Sequence, residues 1–150
     1  MTPLTLADLP SRVGSELFRS DWLPLDAADE AAFGAATFLR ADFLGRPPST
    51  GGTMISGFLL LSLVAAFHKR DLALERDGVY GLNYGLDRVR FLRPVRAGQR
   101  VRMSAVLLDV AEKEPGRTRV LTRNTLEAEG AEGPAMVADW IAYYVAPDGG

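Results

Sequence analysis

The chain has 150 residues, a hydrophobic fraction of 47% and a formal net charge of −2 at pH 7. This length and composition predict one globular domain, residues 1–150, with a sizeable core, and the slight acidic excess disfavours a nucleic-acid-binding protein. Zero cysteines exclude disulfides and thiolate chemistry, and a single histidine leaves no credible set of metal ligands.

The N-terminus, MTPLTLADLP, lacks a basic segment followed by an apolar run, so no signal peptide is predicted. The longest apolar run, residues 54–67, is shorter than the roughly 20 residues that span a bilayer. We therefore expect a soluble, cytoplasmic protein without a membrane partner.

Two segments before residue 51 have readable signals. Asp26 is a predicted N-cap for a helix from Ala27 to Asp42, with Asp29 and Glu30 in the first turn, where negative charge suits the helix dipole. The segment Leu44–Thr50, LGRPPST, is predicted to be irregular, because a Pro-Pro pair cannot lie inside a helix.

The stretch GGTMISGFLLLSLVAAF, residues 51–67, predicts the central element of the fold. A helix from about Ile55 to Lys69 would be apolar on nearly every side, which is typical of a helix buried on all sides. His68, Lys69 and Arg70 end it, where positive charge is favourable.

Residues 79–145 read as strands. In one of them an alternating apolar face is predicted, formed by Val101, Met103, Ala105 and Leu107. Turns are predicted at Pro115-Gly116 and Gly133-Pro134. The fold class that accommodates these strands and the apolar helix is α+β, with an antiparallel sheet wrapped around one long central helix.

The last strand, AMVADWIAYYV, is apolar on both faces. One face carries Met136, Trp140 and Tyr144, and the other carries Val137, Ile141, Tyr143 and Val145. A strand of this kind is covered on both sides, here by the central helix and by a terminal segment or a second subunit.

Three segments carry a family resemblance: SDWLPLDAADEAAFGAAT (20–37), GGTMISGFLLLSL (51–63) and GLNYGLDRVRFLRPVRAGQRVR (81–102). With their order along the chain, they resemble the MaoC-like (R)-specific enoyl-CoA hydratase/dehydratase group of the hotdog fold, particularly its NodN-like branch. The resemblance implies a hotdog fold and pairing of sheet edges between two subunits, in a homodimer or a heterodimer with another hotdog subunit.

The family's catalytic signature is an aspartate followed five positions later by a histidine, a dyad that activates water. In the ungapped alignment from Phe33, the two positions fall on Leu39 and Leu44. A register that uses Asp42 as the aspartate places Pro47 at the histidine position. The chain therefore lacks the dyad of the family it resembles, and Ser56 stands where the central helix of the family usually has a histidine.

The resemblance also implies site residues. Gly57 corresponds to the glycine at which the thioester oxygen docks, and N–H groups at a helix start favour such an oxygen. Gly57 is alternatively a packing residue, and Ser56 either binds substrate or caps the helix. Asp42 is the candidate general base, catalytic if apolar neighbours raise its pKa, or else an ordinary solvated carboxylate.

A third group, Asn83, Tyr84, Asp87 and Arg88, is placed near the substrate tunnel by the resemblance. Asn83 and Tyr84 would bond a substrate carbonyl or hydroxyl, and Asp87 with Arg88 would form an ion pair at the rim; ordinary strand positions are the alternative. Four arginines follow one another here, either to hold coenzyme A phosphates or to face solvent: Arg88, Arg90, Arg93 and Arg96. His68 is interpreted as a helix-end residue rather than a catalyst.

Two classes of function remain. The first is an enzyme on an acyl thioester or related conjugated carbonyl substrate, a hydratase/dehydratase by descent with altered chemistry, or else a thioesterase or a biosynthetic tailoring enzyme. The second is a non-catalytic acyl-binding protein or a structural partner of an active hotdog subunit. No cofactor is expected; an acyl-CoA or acyl-carrier-protein thioester would be the substrate.

Overall fold

The computed structural model describes residues 3–39, 52–74 and 78–147. A 3-10 helix (Leu6–Arg12) precedes two helices and eight strands. The helices are α1 (Ala27–Ala36) and α2 (Gly57–Asp71). The strands are β1 (Glu16–Arg19), β2 (Leu23–Pro24), β3 (Met54–Ile55), β4 (Tyr80–Phe91), β5 (Val95–Arg96), β6 (Arg100–Glu114), β7 (Arg117–Ala128) and β8 (Pro134–Val145).

The sheet is antiparallel and has the strand order β1-β6-β7-β8-β4, with β2 also paired to β6. Strands β3 and β5 form a separate pair. The predicted turn at Pro115-Gly116 joins β6 to β7, and Gly133 has a φ of +82° immediately before β8 begins at Pro134. The predicted apolar face of β6 is confirmed, because Val101, Met103, Ala105 and Leu107 are each 0% exposed.

Helix α2 lies against this sheet and starts later than predicted. Met54 and Ile55 pair with Arg96 and Val95, so that the helix begins only at Gly57, with Ser56 as its N-cap. The face that packs on the core is formed by Leu59, Leu60, Val64, Phe67 and His68.

The prediction that this helix is buried on every side is wrong for the described chain. Phe58 is 67% exposed, and Ala65 and Ala66 are also exposed. The physical reason is that the sheet covers one side of the helix only, and no other described element covers the second side.

Helix α1 has the predicted cap and an earlier end. Asp26 accepts a hydrogen bond from the backbone of Asp29, whose side chain accepts one from the backbone of Asp26. The predicted end at Asp42 is wrong, since the helix stops at Ala36. Leu39 N–H donates to Gly34 O and Phe38 adopts a φ of +66°, an arrangement that closes a helix.

The last strand, β8, is covered more completely on its core face than on the other, although Trp140 on the core face is only half-buried. Met136 is 0% and Tyr144 is 5% exposed on the core side. On the other face Ile141 is buried, while Val137, Tyr143 and Val145 are half-buried. Its neighbour β4 forms the edge of the sheet. None of the helices within the described ranges is long and apolar enough to cross a membrane.

Candidate functional site

The N-terminus of α2 presents backbone N–H groups. Ser56 Oγ accepts a hydrogen bond of 3.3 Å from Leu59 N–H, so the capping role foreseen as an alternative for Ser56 is confirmed. Ser56 N–H donates to Glu30 Oε2 at 3.0 Å. Within the described residues, the N–H groups of Gly57 and Phe58 have no acceptor. Free N–H groups at a helix start attract an anion or a polarised carbonyl oxygen.

Gly57 also has a packing role. A Cβ atom at this position would lie 2.9 Å from two ring carbons of Phe91 in β4. The ring of Phe58 in turn meets that of Phe91 edge-on, with the centroids 6.4 Å apart. The absence of a side chain at Gly57 thus allows β4 to approach the beginning of α2, whatever binds to the N–H groups.

An open groove of about 310 Å³ runs between α2 and β4. Its lining is mostly apolar and comprises Leu61, Ser62, Val64, Ala65, Asn83, Tyr84, Gly85, Leu86 and Trp140. Strand β4 runs along the helix, with Phe91 beside Gly57 and Leu86 beside the middle of α2. A groove with this lining suits a flexible apolar chain.

Two predicted site residues, Asn83 and Tyr84, lie in the groove. Trp140 Nε1–H donates a hydrogen bond of 3.1 Å to Asn83 Oδ1, so that the amide oxygen is already engaged. Tyr84 is 66% exposed, and its ring meets that of Tyr143 edge-on at 4.9 Å. A β-bulge between Asn83 and Gly85 sets the direction of both side chains.

Asp87 and Arg88 do not form the predicted ion pair. Asp87 lies opposite Asp139 in the β4–β8 register, and Asp139 is paired with Arg123 at 2.9 Å. Arg88 lies in a second bulge with a φ of +51°. Both residues are exposed. The bulge interrupts the regular alternation of side chains between the two faces of the strand at this point.

The four arginines divide into two kinds. Arg88, Arg90 and Arg93 are exposed, in keeping with the solvent-facing alternative. Arg96 differs, since its Nη1 atom is buried without a hydrogen-bond partner.

The catalytic prediction falls largely outside the described residues. Asp42 and Leu44 belong to residues 40–51, which the structure does not describe. Leu39, the other position at which the resemblance leads one to expect a dyad residue, is 42% exposed just beyond α1.

His68 is in the last turn of α2, as predicted, but it is a core residue. It is 2% exposed, and its Nε2 lies 2.6 Å from Asn124 Oδ1. Asn124 Nδ2 contacts Thr122 O, Thr122 Oγ1 and Ala138 O, all of them acceptors. The amide oxygen therefore faces the imidazole, and we assign a hydrogen to His68 Nε2. Phe18 and Trp140 pack edge-on against the ring.

The structure thus separates the predicted residues into two places: Ser56 and Gly57 at the start of α2, and Asn83 and Tyr84 in the groove. Sequence reasoning missed Glu30 and Trp140. The capping box could have indicated Glu30, because Asp26 and Asp29 bond each other and leave Glu30 as the remaining acid of that turn. Within the part of the chain that the structure describes, no three His, Cys, Asp or Glu residues form a metal-binding group.

Known proteins resemble this chain over nearly its whole length. The family described as MaoC like domain matches residues 46–130. A nodulation protein N of Rhizobium leguminosarum bv. viciae is 38% identical over 147 residues, covering 94% of this chain and 91% of that protein. A 3-hydroxyacyl-thioester dehydratase Z of Mycobacterium tuberculosis (strain ATCC 25618 / H37Rv) is 32% identical over 148 residues, covering 95% and 97%.

Solved structures share the fold. The MaoC-like dehydratase from Rhodospirillum rubrum superposes with a TM-score of 0.68 at 17% identity, covering 90% of this chain and 93% of that one. The hotdog fold expected from the sequence is confirmed.

Proposed function

Because the chain belongs to the MaoC-like dehydratase family, we propose that it acts on an acyl thioester, interconverting a 3-hydroxyacyl thioester with the 2-enoyl thioester and water. The observation that carries the proposal is the likeness, along nearly the whole chain, to a 3-hydroxyacyl-thioester dehydratase. The reaction is a reversible elimination of water and needs no cofactor.

The start of α2 is the proposed site for the thioester carbonyl. Removal of the proton on C2 places negative charge on the carbonyl oxygen, and preorganised N–H groups stabilise that charge. Gly57 and Phe58 supply two such groups without an acceptor among the described residues. The acyl chain would then follow the groove between α2 and β4, where Leu61, Ala65 and Leu86 give an apolar wall.

Asn83 and Tyr84 are proposed to contact the substrate from the β4 side of the groove. The Trp140 bond holds the Asn83 oxygen and leaves its amide N–H groups as donors. Arg88 and Arg90 lie on the same edge strand, β4, where a coenzyme or carrier-protein phosphate would meet them, and Asp87 is next to Arg88 in the chain.

We also infer that the groove is closed by a second hotdog subunit, of the same or another chain. Strand β4 is a long edge strand with exposed apolar side chains, among them Leu82 and Leu86, and the second face of α2 is uncovered as well. An exposed apolar edge of this length is normally paired or protected. Pairing of two β4 edges would extend the sheet and cover both apolar surfaces.

A panel of trans-2-enoyl-CoAs and (R)-3-hydroxyacyl-CoAs of increasing chain length tests the proposal. We expect the purified protein to show a rise in Tm with at least one ligand and a change in enoyl-thioester absorbance with time. Asp42→Asn belongs in the same assay, since the sequence makes Asp42 a candidate base. A rise in Tm without turnover would favour the non-catalytic acyl-binding or partner role. If neither a rise in Tm nor turnover is observed, the result contradicts any function on a thioester.

A further inference from the structure

The carboxylate of Glu30 joins α1 to the first residue of the proposed site. Glu30 is half-buried in the first turn of α1, and its Oε2 accepts the Ser56 N–H across 26 residues of sequence. The two neighbouring acids of that turn, Asp26 and Asp29, are engaged with each other's backbone. Glu30 is therefore the acid of this turn whose side chain reaches α2.

The second carboxylate oxygen is available for chemistry. Among the described residues, Glu30 Oε2 accepts a hydrogen bond from Ser56 N–H, whereas Glu30 Oε1 makes no hydrogen bond or ion pair. Ser56 is the N-cap, with an extended backbone (φ −64°, ψ 145°), and Gly57 is the first residue of the helix. The Glu30 carboxylate, held on Ser56 N–H, therefore lies at the same end of α2 as Gly57 N–H, one residue from the proposed carbonyl site.

The position of Glu30 beside Ser56 also agrees with the lack of the family's catalytic dyad in this sequence. Leucines occupy the two dyad positions, Leu39 and Leu44, and Ser56 stands where related chains usually have a histidine. A carboxylate held on the backbone of Ser56 supplies a proton-transfer group at the helix start, which the short serine side chain leaves accessible.

We propose that Glu30 is the catalytic acid–base of this chain, in place of the missing dyad. This role rests on the proposed thioester dehydratase function. In dehydration, Glu30 Oε1 takes the proton from C2, the electrons of that C–H bond form the C2=C3 double bond, and the C3–O bond breaks. The departing hydroxyl takes the proton from the carboxyl group, so that water leaves and the carboxylate is restored.

A purely structural role makes a different demand on the side chain. Capping the Ser56 N–H requires only an acceptor oxygen, which the isosteric amide of glutamine also provides. Acid–base catalysis requires a group that binds and releases a proton, which the amide cannot do. The substitution Glu30→Gln therefore keeps the cap and removes the chemistry.

The experiment compares wild type, Glu30→Gln and Glu30→Ala, with Glu132→Gln as a control in the exposed β7–β8 turn. Hydration of trans-2-octenoyl-CoA is followed by loss of enoyl absorbance, and Tm is measured for each protein. We expect Glu30→Gln to lower kcat at least about 100-fold, the scale of general acid–base catalysis, with Tm and KM close to wild type. We expect formate to raise the rate of Glu30→Ala at least tenfold and that of wild type not at all.

Glu30→Gln with more than a third of wild-type kcat would overturn the role of Glu30 and leave the dehydratase function standing. In that case a parallel loss in Asp42→Asn would assign the base to Asp42. If wild type turns over no substrate of the panel, the proposed function fails, and the catalytic role of Glu30 fails with it.

Discussion

The ring of Phe91 lies so close to Gly57 that a methyl group there would sit 2.9 Å from two ring carbons. The contact joins the edge strand β4 to the start of α2. Alanine is a better helix former than glycine, but the strain of an overpacked contact, about 1–3 kcal/mol, outweighs that gain. We predict that Gly57→Ala lowers the free energy of unfolding by about 1–2 kcal/mol in urea titrations.

The matched background for this prediction is Phe91→Leu, which removes the ring that the new methyl group meets. Adding Gly57→Ala to Phe91→Leu should cost less than half of what it costs in wild type, a coupling that a double-mutant cycle measures. Equal costs in the two backgrounds would show that the Phe91 ring simply turns away into solvent.

Phe38 has an unfavourable backbone conformation at the end of α1. Its φ is +66° and its side chain is 85% exposed, so the strain is not offset by burial of the ring. The left-handed conformation costs a residue with a Cβ atom about 1–2 kcal/mol, and glycine adopts it readily. We predict that Phe38→Gly raises the free energy of unfolding by about 1 kcal/mol.

The control for Phe38→Gly is Ala35→Gly, because Ala35 lies inside the last turn of α1 whereas Phe38 lies beyond its end. Inside the helix, glycine should lower the stability by about 0.5–1 kcal/mol, the opposite sign. The interpretation of Phe38 is wrong if both substitutions destabilise the protein to the same extent.

The edge strand β4 gives a test of assembly. Leu86 is 44% exposed and lines the open groove. A charge at an exposed edge opposes strand pairing. We expect light scattering to give the mass of a dimer for wild type and that of a monomer for Leu86→Lys.

Val13→Lys is the control for this measurement, because Val13 is 47% exposed and lies outside both β4 and α2. It should leave the dimer intact. A monomeric wild-type protein at micromolar concentration would contradict edge pairing between identical chains and favour a different hotdog chain as partner.

The ion pair between Glu129 and Arg100 leads to a prediction about stability in acid. Hydrogen bonds donated by Arg100 Nε and Nη2 to its carboxylate lower the pKa of Glu129 below its usual value, and the same bonds raise the pKa of Arg100. A carboxyl group with a lowered pKa in the folded state stabilises that state above its unfolded pKa, roughly 4.3 for glutamate, and this contribution is lost as the pH falls further.

We therefore predict that, between about pH 5 and pH 2, the free energy of unfolding of wild type falls more steeply than that of Glu129→Gln. This interval includes the reference pKa of glutamate, about 4.3. Urea titrations across this interval measure both slopes. Glu132→Gln removes an exposed carboxylate of the same turn and should keep the wild-type slope. Identical slopes for all three proteins would show that Glu129 does not contribute to the loss of stability in acid.

The parts of the fold that local sequence determines were predictable. The Asp26 cap, the alternation of β6 and the turn at Pro115-Gly116 depend on neighbouring residues, and each is present in the structure. The end of α1 was not predictable, since no glycine marks it and Phe38 adopts a conformation that its residue type disfavours.

The candidate site was predictable only in part, because it depends on contacts between distant segments. The approximate position of α2 followed from its apolar pattern, but its start at Gly57 lies two residues later than predicted, because Met54 and Ile55 pair with another strand. The Glu30–Ser56 bond and the Trp140–Asn83 bond join residues 26 and 57 positions apart, and no periodicity indicates such pairs. The open face of α2 was mistaken for a buried one because apolar composition does not distinguish a core from an interface between subunits.

The burial of His68 has a practical consequence. The chain has one imidazole, 2% exposed, and no thiol, so reagents directed at either group find no accessible target on the native surface. Modification of His68 by diethyl pyrocarbonate should then proceed only through opening of the core around Asn124, and the rate of N-carbethoxyimidazole formation would report that opening directly. A single cysteine introduced at an exposed position would, for the same reason, be labelled without any background reaction.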